Sequence, residues 1–563
     1  MPSTERAQKS KGKSFVKGAA VLGAAGIVVK VLGAVFRIPL GNMVSESSMA
    51  YYQPAYFIYT FFVVIATTGL PTAIARMVSE RIVVDDYKGA HKAFQVARYL
   101  ILAIGVCSFV ILFFGAGPIS TLMHSPNAKY PMMVIAPAIL FVPLMSAYRG
   151  YFQGMQNMNP MAVSRVVEQV FRVAVGLTAA YFLYHSAADV MAWAGEDQVA
   201  ATDVKGAMGA ISGATVGSLA GLLVILLIYY KSRKAIYYRI RHSSSTVEES
   251  RRTLLRQILI IAIPITVGAA VMPIMNLIEV PIINNRLLDS GFSTDEADVL
   301  YGMLSGYVSS LINLPQVLTA ALAMSLVPMI ASVFTKNDRE ELTYNTILGG
   351  RIAMIIGCPC AIGLAVLAKP IMLLLYPAKP EVAENSAVCL AILAISVIFL
   401  SLVQTMTAVL QGVERQMIPV RNLAIVLVIK VILTYWLVGI YALNIKGAAI
   451  ATLAAYIVAA VLDVLSTQKY TRVRFPVGLT YLRPLSASLI MGAVTWICYH
   501  FVSKVSPSLS WNAVATLISI FLAVIVYVIA LFATGSITRE DMFNIPKGPK
   551  LVALYDRIMG YRD

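Results

Sequence analysis

Apolar residues run through this chain in long blocks, and polar residues collect in the short gaps between them. A helix rises about 1.5 Å per residue, so roughly 20 apolar residues carry it across the hydrocarbon core of a bilayer. Fourteen blocks approach or exceed that length. The first seven lie at about 15–40, 52–78, 94–116, 130–150, 160–184, 206–230 and 255–284. The other seven lie at about 300–333, 346–375, 385–411, 419–441, 447–467, 484–503 and 511–534. Several are longer than a perpendicular span needs, which predicts tilt or breaks. Prolines inside them, such as Pro71, Pro143, Pro264, Pro281 and Pro328, predict kinks. The pattern predicts an all-α integral membrane protein with fourteen transmembrane helices.

Composition agrees. Of 563 residues, 58% are hydrophobic and only 13% charged, against about 25% charged in a soluble domain. A soluble enzyme and a disordered chain are excluded. The formal charge of +17 would suggest nucleic acid in a soluble protein. Here the loops account for it. With the N-terminus placed inside, the outer loops hold only six of the 45 Lys and Arg: Lys129, Lys205, Arg286, Lys379, Lys446 and Lys504. The positive-inside rule then predicts both termini in the cytoplasm of a cell-membrane protein, with no nucleic-acid partner. The basic stretch Lys231–Arg256 is placed to touch anionic membrane lipids. The first apolar block continues through Lys30 and Arg37 without a small-residue cleavage site and reads as an uncleaved span.

The chain also repeats itself. Gln153-Gly154 between blocks four and five recurs as Gln411-Gly412 between blocks ten and eleven, 258 residues on. Leu70-Pro71 recurs as Val327-Pro328 at an offset of 257. This predicts two pseudo-symmetric six-helix lobes sharing one orientation, with two extra C-terminal helices. The expected organisation is a cytoplasmic tail 1–14, an N-lobe 15–230, a basic linker 231–254, a C-lobe 255–467, the added pair 484–534 and a cytoplasmic tail 535–563.

Chemistry resides in charges inside the spans, each costing at least about 2.5–3.5 kcal/mol if it faces lipid at the bilayer centre. Lys30 and Arg37 are seven apart and share a helix face. Arg165, Glu168 and Arg172 follow an i, i+3, i+7 pattern. Lys430 is near the middle of its span. Arg76, Arg98, Arg149 and Arg165 lie where they can snorkel to headgroups. Cations outnumber acids, which suits an anion, and arginine forks suit phosphate. Glu279 and Asp463 are candidates for binding Na⁺ or a proton, the alternatives being a pair with a neighbouring cation such as Arg286 for Glu279 and a solvated helix end for Asp463. No phosphate-cradling loop, metal-ligand pattern or nucleophile elbow occurs, so no cofactor is expected. Energy would come from the membrane potential, Na⁺ or H⁺. The five cysteines, all in apolar blocks, read as core residues.

Several stretches resemble one family. RGYFQGMQNMNPMAVSRVVEQVFRV (Arg149–Val173), LIEVPIINNRLLDSGFSTDEADVLYG (Leu277–Gly302), LINLPQVLTAALAMSLVP (Leu311–Pro328) and GLPTAIARMVSE (Gly69–Glu80) resemble the stage V sporulation protein B branch of the polysaccharide flippases. That branch belongs to the multidrug/oligosaccharidyl-lipid/polysaccharide (MOP) superfamily, with the MurJ lipid II flippases and the MATE transporters. The resemblance implies a two-lobed transporter that moves undecaprenyl-diphosphate-linked glycans, lipid II foremost, by alternating access. It places the family's basic residues on or near Lys30, Arg37 and Arg76 and its helix-seven acid on Glu279, where Asp is commoner. Arg165 stands where the branch often has Gln, and Ser309-Ser310 replaces an Asp-Arg pair of the MurJ branch. Together with the intramembrane charges Arg172, Lys430 and Glu168, this gives an expected substrate site of Lys30, Arg37, Arg76, Arg172 and Lys430, supported by Glu168 and Glu279. The added helices would groove the lipid tail, and cell-wall synthesis machinery is a possible partner. The rival readings are a flippase for another lipid-linked polysaccharide or a sporulation wall precursor, a MATE-type cation antiporter, and a non-transporting scaffold.

Overall fold

A computed structural model describes residues 25–186 (apart from 27, 30 and 34), 198–243 and 249–537. The N-terminal tail, the C-terminal tail beyond 537, and Lys30 lie outside the described residues. By internal packing the chain divides into two units, one of 1–310 with 434–445, the other of 311–433 with 446–563.

The helices of the first unit are α1 Glu46–Thr67, α2 Gly69–Val83, α3 Tyr87–Leu122, α4 Lys129–Ile135, α5 Ala138–Gly154, α6 Asn159–His185, α7 Gln198–Arg241, α8 Arg251–Asp289 and α9 Thr294–Gly302. A π-helical stretch, Met303–Val308, leads into α10 Ser309–Lys336. The rest of the chain forms α11 Arg339–Val366, α12 Ala368–Leu375, α13 Pro380–Gly412, α14 Met417–Val438, α15 Asn444–Thr471, α16 Arg483–Ser503 and α17 Leu509–Ala533. Among the described residues every regular element is helical, and twelve helices are long and apolar enough to cross a membrane. The bent pair Pro126–Ile135 and Ala138–Gly154 makes a thirteenth if counted as one span. Of the first expected span, Val31–Met43 forms a shorter apolar helix, and most of its N-terminal part lies outside the described residues.

Helix starts follow local chemistry. Ser45, Asp86, Ser250, Asp338 and Ser508 each accept a backbone N–H in the first turn. Ser293 and Glu296 close a full capping box at α9. The expected break in the second block falls at Thr68, between α1 and α2. There Gly69 lets α8 approach closely, since a Cβ at that position would lie 2.1 Å from the Ala262 carbonyl oxygen.

Close packing of α6 on α7 rests on small residues. Gly209, Gly213, Gly217 and Gly221 recur every four residues on α7 and form one stripe against α6. A Cβ at Gly213 would lie 2.3 Å from the Arg172 carbonyl oxygen, and one at Gly217 2.5 Å from that of Glu168.

The internal repeat has a packing counterpart in each unit. Gly154 ends α5 against Ala75 and Val78 of α2, the helix that carries Pro71. Gly412 ends α13 against Val327 and Ile330 of α10, the helix that carries Pro328. Both Gln-Gly pairs thus end a helix on its proline-bearing neighbour. The helix α8, which the repeat opens the second half with, packs on α1, α2 and α3 of the first unit. In the second unit Cys358 sits in an apolar core with Met354, Val403 and Ala455, as its composition suggested. The added helices α16 and α17 pack on one another, and Tyr527 donates to the Ile355 carbonyl at 2.7 Å.

Candidate functional site: a cationic pocket in the first unit

The α5–α6 hairpin brings its charges together. Pro160 starts α6, and the i, i+4 spacing of Glu168 and Arg172 puts them on one face. Arg149 reaches that face from the end of α5. Glu168 takes both arginines: Oε2 accepts from Arg149 Nη2 at 3.0 Å and Oε1 from Arg172 Nη2 at 3.3 Å. Arg149 also donates to Ser164 Oγ through Nη2 at 2.7 Å and Nε at 3.2 Å. Ser164 in turn donates to the Gly221 carbonyl at 2.9 Å, tying the cluster to the glycine stripe. Arg149 is 9% exposed. It does not snorkel as expected, because Glu168 and Ser164 satisfy it inside the protein.

These residues border a cavity of about 290 Å³ lined by Arg149, Arg165, Glu168 and Arg172 together with Tyr56 and Tyr59. Three arginines face one carboxylate, so the lining carries two positive charges in excess. The Nε of Arg172 is buried without a hydrogen-bond partner among the described residues. Tyr59 lies within electrostatic reach of Arg172. The tyrosines form a ladder, Tyr52 to Tyr56 at 5.8 Å and Tyr56 to Tyr59 at 5.9 Å between ring centroids. A cavity rich in guanidinium N–H groups and phenol edges can hold an anion with an attached polar group.

Arg37 comes close to this assembly without lining the cavity. It donates to Ser310 Oγ at 3.4 Å, and Tyr52 lies within electrostatic reach of both Arg37 and Arg172. One serine of the Ser309-Ser310 departure is therefore its partner. Arg76 goes elsewhere. It pairs with Glu80 at 2.8 Å on the surface and borders a separate groove with Arg81 and Glu249. Lys430 is buried in the second unit, on α14. Glu279 is half-buried on α8, within reach of Tyr301. Arg286 pairs with Asp289 at 2.8 Å and lies 4.4 Å over the Tyr435 ring. Among the described residues no three of His, Cys, Asp and Glu group as a metal site.

Sequence reading missed the depth of two residues. Arg149 sits near a helix end and Asp463 near the end of its apolar block, where exposure is the usual outcome, but α15 runs on to Thr471. Asp463 is 1% exposed, not solvated. Asn422 donates to its Oδ1 at 2.8 Å and Thr407 to its Oδ2 at 3.3 Å. Burial at a helix end depends on the neighbouring helices, and hydropathy along one chain segment does not contain them.

The profile described as "Polysaccharide biosynthesis protein" matches residues 15–334, more than half of the chain. The chain belongs to the polysaccharide biosynthesis protein family. A second profile, "MatE", matches residues 305–436. The chain is 27% identical over 508 residues to the "Lipid II flippase MurJ" of Bacillus subtilis (strain 168), covering 87% of this chain and 90% of that one. It is 26% identical over 545 residues to the "Stage V sporulation protein B" of the same organism, covering 95% and 98%. The solved "Lipid II flippase MurJ, inward closed conformation" superposes with a TM-score of 0.62 at 17% identity, over 92% of this chain and 97% of that one. The family member is thus a multi-pass MOP-superfamily transporter of the flippase type rather than an enzyme.

Proposed function

We propose that this transporter flips an undecaprenyl-diphosphate-linked oligosaccharide, specifically the peptidoglycan precursor lipid II, from the inner to the outer leaflet of the cytoplasmic membrane. The carrying observation is the pocket on α5 and α6, with three arginines around one glutamate and a spare buried N–H on Arg172. A diphosphate offers acceptor oxygens on two linked centres, which matches several guanidinium forks at once. The tyrosine ladder beside it suits a sugar, which presents polar edges and an apolar face. Family membership and the names of the two Bacillus subtilis relatives support a lipid-linked glycan. Arg37 extends the cationic surface in this reading, and Lys30, Arg76 and Lys430 remain candidate substrate-binding residues on the sequence alone. An inside-negative potential resets the empty, positively charged carrier, with Glu279 as the candidate group for Na⁺ or proton coupling. Both termini face the cytoplasm.

The test is complementation of cells depleted of their own lipid II flippases, scoring lipid II on the outer leaflet. Wild type restores exposure, and Arg165→Gln with Arg172→Gln abolishes it at normal membrane levels. Failure of the folded wild type, with rescue of a different lipid-linked glycan, replaces lipid II by that glycan. Export of organic cations instead would favour the antiporter suggested by the MatE match. Full transport by the double variant sinks the pocket assignment, and no transport of any substrate leaves the scaffold.

A further inference from the structure

A second basic feature lies apart from the pocket, where the first turns of α8 meet the N-terminal half of α3. A groove of about 410 Å³ runs between them. Its polar wall carries Lys92, Arg251 and Arg252, and its apolar wall carries Val96, Leu100 and Leu255. Among the described residues no acidic residue lines it. The nearest acid in sequence, Glu249, is engaged with Arg81, while its backbone carbonyl accepts from Lys92 Nζ at 2.7 Å. That bond holds the ammonium beside the start of α8.

Two arginines at the first two positions of a helix run against local stability. The N-terminal end of a helix is its positive pole, and cations there are disfavoured. The first turn of α8 carries no acid to offset them. Folding therefore gains nothing from these charges at this place, whereas an anion seated in the groove would gain from all three cations and from the helix end.

The apolar wall says what the anion is attached to. On α3, Tyr99, Leu102, Val106 and Val110 form one exposed stripe that continues away from the groove at helical spacing. On α8, Ile260, Ile263 and Val267 do the same. A small soluble anion has no use for such walls. A phospholipid does, since its phosphate lies at headgroup depth and its acyl chains run down the two stripes. Tyr99, 62% exposed with the Arg98 guanidinium 5.2 Å from its ring, stands where interfacial tyrosines stand.

We propose that the α3–α8 groove is a binding site for an anionic glycerophospholipid of the bilayer, separate from the transport pocket. Three cations against a single negative headgroup select it over a zwitterionic one.

The test uses the full-length protein, purified, stripped of lipid and supplied with phosphatidylglycerol or phosphatidylcholine, with bound lipid read by native mass spectrometry. Wild type should retain phosphatidylglycerol about tenfold more than phosphatidylcholine. Lys92→Gln with Arg252→Gln should abolish that preference, while the unfolding temperature in lipid-free detergent stays unchanged. Should that variant misfold, the salt dependence of wild-type binding decides instead. The preference should fall as ionic strength rises to about 1 M, where screening shortens to about 3 Å. Equal retention of both lipids by wild type, or an unchanged preference in a folded double variant or at high salt, overturns the proposal. So does competition by glycerol phosphate as effective as by the lipid, because the apolar wall would then contribute nothing.

Discussion

Arg149 lies four residues before Gln153 in the first unit, and Thr407 lies four residues before Gln411 in the second. Ser164 stands ten residues after Gly154, and Asn422 ten residues after Gly412. The repeat therefore offers the two units the same pair of positions, and they are filled with opposite chemistry. In the first unit Arg149 bonds both to Ser164 and to Glu168, beside an open cavity with a surplus of arginine. In the second, Thr407 and Asn422 clasp the buried carboxylate of Asp463 with neutral donors. Arg421 donates to the Asn422 side-chain oxygen at 3.2 Å and so turns its NH₂ toward the acid. A single backbone plan can hold either sign of buried charge, provided each charge finds donors or acceptors at hydrogen-bond distance. The first unit leaves positive charge and an N–H to spare, and that surplus equips it for an anionic ligand.

The comparison is most easily broken at Glu168. Replacing it by Ala strands Arg149 and Arg172 as buried, unpaired cations. The expected loss is about 3–5 kcal/mol, read as a lowered midpoint in thermal or denaturant unfolding in detergent. A loss below about 1 kcal/mol would mean that water, not Glu168, compensates the arginines.

Gly213→Val tests the glycine stripe that packs α7 on α6, the helix that carries Glu168 and Arg172. Its side chain meets the Arg172 carbonyl, so α6 and α7 must part, at a cost of about 1–3 kcal/mol. A disulfide cross-link between α6 and α7 should then form more slowly than in the parent. Unchanged cross-linking would show that the interface yields elsewhere.

The second unit sharpens the contrast. Asp463→Ala removes the carboxylate that accepts from the Thr407 hydroxyl and the Asn422 amide, leaving the amide only Ser466 Oγ at 3.1 Å, and should cost about 1–3 kcal/mol. Asp463→Asn keeps an acceptor oxygen and should cost less. A stable Asp463→Asn protein that no longer transports would show that the charge, and not only the packing, is used.

The smallest effect is expected at Arg76. Its ion pair with Glu80 is exposed, 65% and 55% for the two side chains, so Arg76→Gln should change stability by about 0–1 kcal/mol. Transport by this variant, measured in the complementation assay, separates a role in ligand capture from a role in the fold.

Much of this organisation was legible in the residues. Span positions follow from apolar block length, because a membrane helix must satisfy its own backbone and face lipid whatever lies beside it. The i, i+4 relation of Glu168 and Arg172 is likewise a property of one helix, and their pairing in the structure follows from it. The Gln-Gly repeat marked equivalent helix ends, and both glycines do end helices on a proline-bearing neighbour. The tertiary structure alone decided what joins across helices. Arg149 and Glu168 lie nineteen residues apart on different helices, and nothing local says that a turn at the α5–α6 junction brings them to 3.0 Å. Nor does hydropathy say that Asp463 is enclosed, that Ser310 is what Arg37 meets, or that Arg76 remains on the surface beside Glu80. Local periodicity records which face of a helix is polar. Which partner completes that face depends on the helices packed beside it, and only the folded chain specifies them.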